Sequence, residues 1–202
     1  IRNSTVERFQ KTGIDVDGPN LTIVLEDNTV VGVGPTSAIA QNGISLSGVA
    51  GTVQNNEVES IGYNGAGPED FYASMISTFN LNGVEFVSNE LTGAGDSGTN
   101  RVGIFLGGKN LSFTENNISD VSFGVVPLTD ADVGNNTVEN NTIDDTGGAG
   151  ALLTFLPDQY TAGPNKIEGT LFDSVIEGGF DNSETLTGSS GNDLINDGTD
   201  LF

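Results

Sequence analysis

Apolar residues recur along this chain in a six-residue frame: apolar, any, a small polar or acidic residue, Asn or Ser, any, apolar. The frame stands at Leu25–Val30, Val53–Val58, Phe86–Leu91, Phe113–Ile118 and Val138–Ile143, with Ser in fourth place at Ile1–Val6 and Leu171–Ile176. Successive starts are separated by 24, 28, 33, 27, 25 and 33 residues. A unit recurring at this period marks a solenoid, in which neighbouring turns bury each other's apolar faces. A second element, Gly-apolar-any-apolar, falls between the hexamers at Gly13, Gly43, Gly103 and Gly124, with a fifth copy at Gly150. A third, Asn-Leu-any-apolar, leads into the hexamer at Asn20 and Asn110.

Each piece alternates apolar and other residues over three to five positions, the pattern of a short strand with one buried face. Three short strands per turn, separated by Gly, Asn and Asp turns, predict an all-β chain. The expected fold is a right-handed single-stranded parallel β-helix of about seven rungs over residues 1–180, followed by a distinct tail over 181–202. The hexamer is the bend between two strands, with its first and sixth residues pointing inward. Its fourth residue (Asn28, Asn56, Asn89, Asn116, Asn141) is expected at the corner, where Asn tolerates a left-handed backbone. Stacked from rung to rung, these amides would form an internal hydrogen-bonded ladder. One overlap breaks the register: Val133–Val138 also fits the frame, five residues before Val138–Ile143, and one copy is expected to be an insertion. Excess length falls at residues 62–69, 92–100 and 154–164; the first two precede Gly-apolar strands and would wall one side of the same sheet, and such projecting loops are where binding function is expected.

Composition narrows the chemistry. Twenty-eight acidic residues against 6 Lys plus Arg give a net charge of −22, which argues against nucleic acid or anionic membranes as partners. No Cys or His is present, so thiolate chemistry, Cys-ligated zinc and His general-base catalysis are excluded. No stretch is long and apolar enough to insert in a membrane. The chain opens at Ile1 in the middle of a repeat and shows no signal peptide, so a fragment, or a protein lacking its leader, is expected.

The segment Leu186–Asn196 resembles the calcium-binding nonapeptide of RTX proteins, Gly-Gly-x-Gly-x-Asp-x-apolar-x: Gly188, Gly191, Asp193 and Ile195 match, and Ser189 departs from the second Gly. Gly188, Ser190 and Asp193 are the expected calcium ligands. One repeat cannot supply the six to eight oxygens that calcium takes, so the site would be weak or incomplete. A β-helix followed by such a repeat resembles secreted bacterial mannuronan C5-epimerases and polysaccharide-lyase-like proteins. The resemblance implies an extracellular, calcium-associated protein acting on polysaccharide, uronate-containing chains included. Those epimerases use a His, which this chain lacks, so no catalytic residue is assigned.

Asp70 and Tyr72, with Arg101 on the neighbouring rung, would form a cleft in which Tyr stacks on sugar and Arg holds a uronate carboxylate bidentately. Phe105, outward on a Gly-apolar strand, is a further candidate sugar platform. Asp144–Asp145 and Asp130 with Asp132 are the acid–base pairs the sequence offers, but turn residues or solvated charge are the stronger reading of them. Three functions compete: a polysaccharide-binding or polysaccharide-modifying domain, a structural solenoid or adhesin stalk, and a lyase or epimerase with its site in this chain.

Overall fold

The computed structural model describes residues 1–65, 72–94, 100–128, 134–145, 160–162, 166–169, 175–177, 185–187 and 194–196. Within them the chain forms 23 strands and no helix. Three parallel sheets carry the structure, and each strand pairs with strands one turn of chain away. The five-stranded sheet stacks Thr12–Asp17, Asn42–Ser47, Ala73–Phe79, Arg101–Leu106 and Phe123–Pro127. The six-stranded sheet runs from Thr22–Glu26 through Ala50–Gln54, Val84–Val87, Ser112–Thr114 and Asn136–Glu139 to Tyr160–Ala162. The third stacks eight strands, from Thr5–Glu7 to Thr185–Thr187, against the expected seven or so rungs. The architecture is a parallel β-solenoid.

The core consists of columns of like side chains, one from each sheet. Val30, Val58, Leu91, Ile118 and Ile143 stand in register in the eight-stranded sheet. Leu25, Val53, Phe86, Phe113 and Val138 do so in the six-stranded sheet. Ile14, Ile44, Ile76, Ile104 and Val125 complete the core from the five-stranded sheet. All are buried, as the hexamer and Gly-apolar patterns predict for every one but Ile76, whose strand carries neither pattern, and Val6 packs partly buried at the first turn. Phe86 and Phe113 stack with ring centroids 6.1 Å apart. Each buried side chain of this size contributes about 1.5–3 kcal/mol, so the columns are the principal source of stability.

At the hexamer bends the fourth-position amides form the expected ladder. Asn28, Asn56 and Asn89 each donate from Nδ2 to Oδ1 of the next Asn at 2.9 Å, and Asn116 donates to Asn141 at 3.1 Å. The same oxygens accept the backbone N–H of the preceding rung's Asn, at 2.9–3.1 Å. The second Nδ2 hydrogen of Asn56 reaches the carbonyl of Leu25, and that of Asn89 reaches Val53. Every donor and acceptor of the interior Asn56 and Asn89 amides is thus satisfied, which is what allows a wholly buried amide column. At the first turn Ser4 occupies the ladder place and donates its backbone N–H to Asn28 Oδ1.

Three expectations need correction. The left-handed residue is the third of the hexamer, not the fourth: Asp27, Asn55, Ser88, Glu115 and Asn140 have φ of 54, 53, 53, 57 and 57°. The turn there needs a positive φ, and this leaves the fourth residue free to aim its amide into the bend. Second, neither overlapping hexamer is an insertion. Asn140–Asn141 turns the ladder corner. Asn135 instead lies beside Asn110 at the corner that enters the six-stranded sheet, both with φ of 55°. Asn136 there is buried and accepts the N–H of Leu111 at 2.9 Å. Third, Val175–Glu177, in the copy assigned to Leu171–Ile176, pairs with Leu194–Asn196 in a separate two-stranded sheet. The place beside Thr142–Asp145 belongs to Lys166–Gly169.

Candidate functional site

Inward apolar residues at every second position leave the alternate positions of the five-stranded sheet facing out. Gly43 and Gly103 begin this alternation because the backbone there runs against the eight-stranded sheet: a Cβ on Gly103 would fall 2.5 Å from the Gly124 carbonyl oxygen and 2.7 Å from Ile118 Cγ2. From that point the outward column reads Asp15, Ser45, Ser77, Phe105 and Val126, in register across five strands. The parallel column further along reads Asp17, Ser47 and Phe79. The face therefore changes along the solenoid axis from carboxylate, through hydroxyl, to aromatic and aliphatic.

At its apolar end Tyr72, Val102, Phe105, Phe123 and Val126 line an open groove with a volume of about 160 Å³. Val102 and Phe123 are in register on neighbouring strands, each just before the Gly that opens the inward alternation. Tyr72 meets the Phe123 ring edge-on, with centroids 5.3 Å apart and planes at 82°. Phe105 is half-buried on the strand below Val126. The backbone that follows Phe105 is fixed by Thr78, which points inward: its hydroxyl donates to the Phe105 carbonyl at 2.8 Å and accepts the Gly107 N–H at 2.7 Å. The aromatic surface thus stands on a strand tied to the turn below it.

Of the residues singled out in the sequence, Tyr72 and Phe105 come together in this groove. Arg101 does not open onto it. It starts the same strand with no exposed surface, and its Cδ lies 3.0 Å from where a Cβ on Gly93 would stand. Asp70 and the calcium candidates Gly188, Ser190 and Asp193 lie outside the described residues, as do Asp130 and Asp132. Asp144 is on the eight-stranded sheet, in register with Ser119, away from the groove. Residue chemistry alone does not single out Phe123, Val102 or Val126. Aligning the Gly-apolar strands on their Gly would have found them, since Val102 and Phe123 share the position before it.

The family model for the right handed beta helix region matches residues 1–196. The chain belongs to the right-handed β-helix family. The family supplies the hand of the solenoid, in accord with the right-handed crossovers that parallel strands favour. The match to this β-helix runs on through the nonapeptide-like segment. No curated protein and no solved structure matches the chain.

Proposed function

We propose that this β-helix binds a polysaccharide along the outer face of its five-stranded sheet, with Tyr72 and Phe105 as aromatic contacts. The observation that carries the reading is the groove: three aromatic rings and Val126, over the buried Val102, line an open apolar depression on a rigid sheet. Leaving such surface exposed to water is unfavourable unless a ligand covers it, and a pyranose ring offers the flat C–H face that aromatic rings accept. The solenoid adds a repeating row of side chains parallel to its axis, suited to an extended chain rather than a compact ligand. An extracellular setting, and calcium at the tail through Gly188, Ser190 and Asp193, belong to the same reading and come from the resemblance of the tail to an RTX repeat.

The test is binding to a panel of soluble polysaccharides by affinity electrophoresis and calorimetry. Phe105→Ala is expected to weaken binding at least about tenfold, a loss of about 1.4 kcal/mol. Its urea midpoint should stay near that of the parent, because Phe105 faces outward. A solenoid that binds none of the panel, or whose Phe105→Ala variant binds as the parent does, would be a stalk rather than a receptor.

A further inference from the structure

We infer that the chain held on this face is a neutral, hydroxyl-rich glycan and not a uronate polymer. The inference rests on the polysaccharide reading above and names its ligand class. A uronate chain needs cations along its path, one for most sugar units if the carboxylates are to be paired. The protein has six Lys and Arg in all: Arg2, Arg8, Lys11, Arg101, Lys109 and Lys166. None stands in the outward columns of the five-stranded sheet. Arg101, the one in a strand of that sheet, is wholly buried. Arg2 is paired with Glu26 at 2.8 Å on another sheet, and the Lys11 ammonium donates to the Ala40 carbonyl.

The groups that do face outward suit hydroxyls. Asp15 and Asp17 are exposed at one end of the face, in register with the half-buried Ser45 and Ser47. A carboxylate accepts hydrogen bonds from sugar hydroxyls and repels sugar carboxylates. A Ser hydroxyl donates to and accepts from either neighbour. Phe79, 51% exposed, follows the serines on the third strand, and the Phe105 groove lies beyond. With strands about 4.8 Å apart, the five strands span roughly 20 Å, room for several sugar units laid along the axis. The overall charge of −22 works in the same direction, since it raises the cost of bringing a polyanion to any face.

The decisive experiment measures affinity for paired polymers, neutral (a β-glucan, a xylan, a galactan) and uronic (polygalacturonate, alginate), across a salt series, with EDTA or with calcium. The expected result is at least tenfold tighter binding of one neutral chain than of either uronate at low salt in EDTA. Neutral binding should be nearly flat with salt and lost in Phe105→Ala. Any residual uronate binding should strengthen as salt rises, because screening removes repulsion. Asp15→Asn with Asp17→Asn should narrow the gap between the two classes at low salt. Uronate binding that is tight in EDTA and falls with salt overturns the neutral assignment while leaving the polysaccharide reading intact. Tight uronate binding that appears only with calcium also overturns it, by making the exposed carboxylates half of a cation bridge. Failure of every polymer, neutral and uronic, overturns both readings together.

Discussion

Each interior Asn of the ladder uses the full hydrogen-bonding capacity of its side-chain amide. Asn89 accepts the N–H and an Nδ2 hydrogen of Asn56 and donates to Val53 and Asn116. Asn89→Leu keeps the branched shape and removes one partner from each of these groups in a buried bend, although Asn116 Oδ1 keeps the Asn89 N–H and Asn56 Nδ2 keeps the Leu25 carbonyl. Each buried group so orphaned costs about 1–3 kcal/mol, so the variant should lose at least that much in urea unfolding. An unchanged midpoint would mean that water replaces the amide and that the column is not dry. One residue earlier the logic reverses. Glu115 holds φ of 57° with a side chain that pays nothing back in burial. An L-residue in this region costs about 1–2 kcal/mol, partly offset in glycine by greater freedom of the unfolded chain. Glu115→Gly should therefore be neutral to stabilising by about 1 kcal/mol, while Asn116→Gly destabilises. If both variants destabilise alike, the two positions do not divide the work in this way.

At the scale of the strand, close packing between sheets sets what each position tolerates. Gly103→Ala introduces a methyl against Ile118 and the Gly124 carbonyl, and overpacking of this kind costs about 1–3 kcal/mol. A thermal melt of that variant at the parent's temperature would show that the sheets part more easily than the geometry implies. The same strands show which parts of the fold were legible in the sequence. The period-two alternation and the Asn in fourth place identify the core columns apart from Ile76, because inward residues must be apolar on every turn. The strand Ala73–Phe79 escaped the Gly-apolar pattern because Met75 stands in register where Gly43 and Gly103 do, and Met75 is wholly buried. A flexible thioether fills a space that glycine elsewhere leaves to its neighbours. The overlap at Val133–Val138 was ambiguous because two different corners use the same device, a left-handed residue followed by a buried Asn. Outward residues obey no such rule. Tyr72 and Phe105 stand out by their chemistry alone, and the burial of Arg101 is not legible because the sequence does not show that the start of its strand is enclosed.

For the whole molecule, the acidic excess acts on stability through stacking. A parallel solenoid lays identical positions over one another about 4.8 Å apart, so like residues on successive turns become like charges in contact. Glu57 and Glu90 are directly in register in the eight-stranded sheet, and Asn117 on the next turn donates to Glu90 Oε1 at 2.8 Å. Glu26 is relieved in two ways, by Arg2 at 2.8 Å and by the Gln54 amide at 2.7 Å. Among the described residues that ion pair stands alone against a net charge of −22 for the chain, so repulsion between turns is largely uncompensated. Like charges opposed on neighbouring strands destabilise a sheet, and screening weakens the effect as the Debye length falls from about 30 Å at 0.01 M salt to about 3 Å at 1 M. The urea midpoint should therefore rise with sodium chloride, steeply at first and then level off. Urea is the required denaturant, because guanidinium is itself a screening salt. Glu90→Gln should raise the low-salt midpoint and flatten the dependence, since it removes the repulsion and can still meet Asn117. A midpoint that falls with salt would mean that attractive pairs dominate. A rise with calcium but not with sodium at equal ionic strength would mean that specific coordination, rather than screening, holds the acidic turns together.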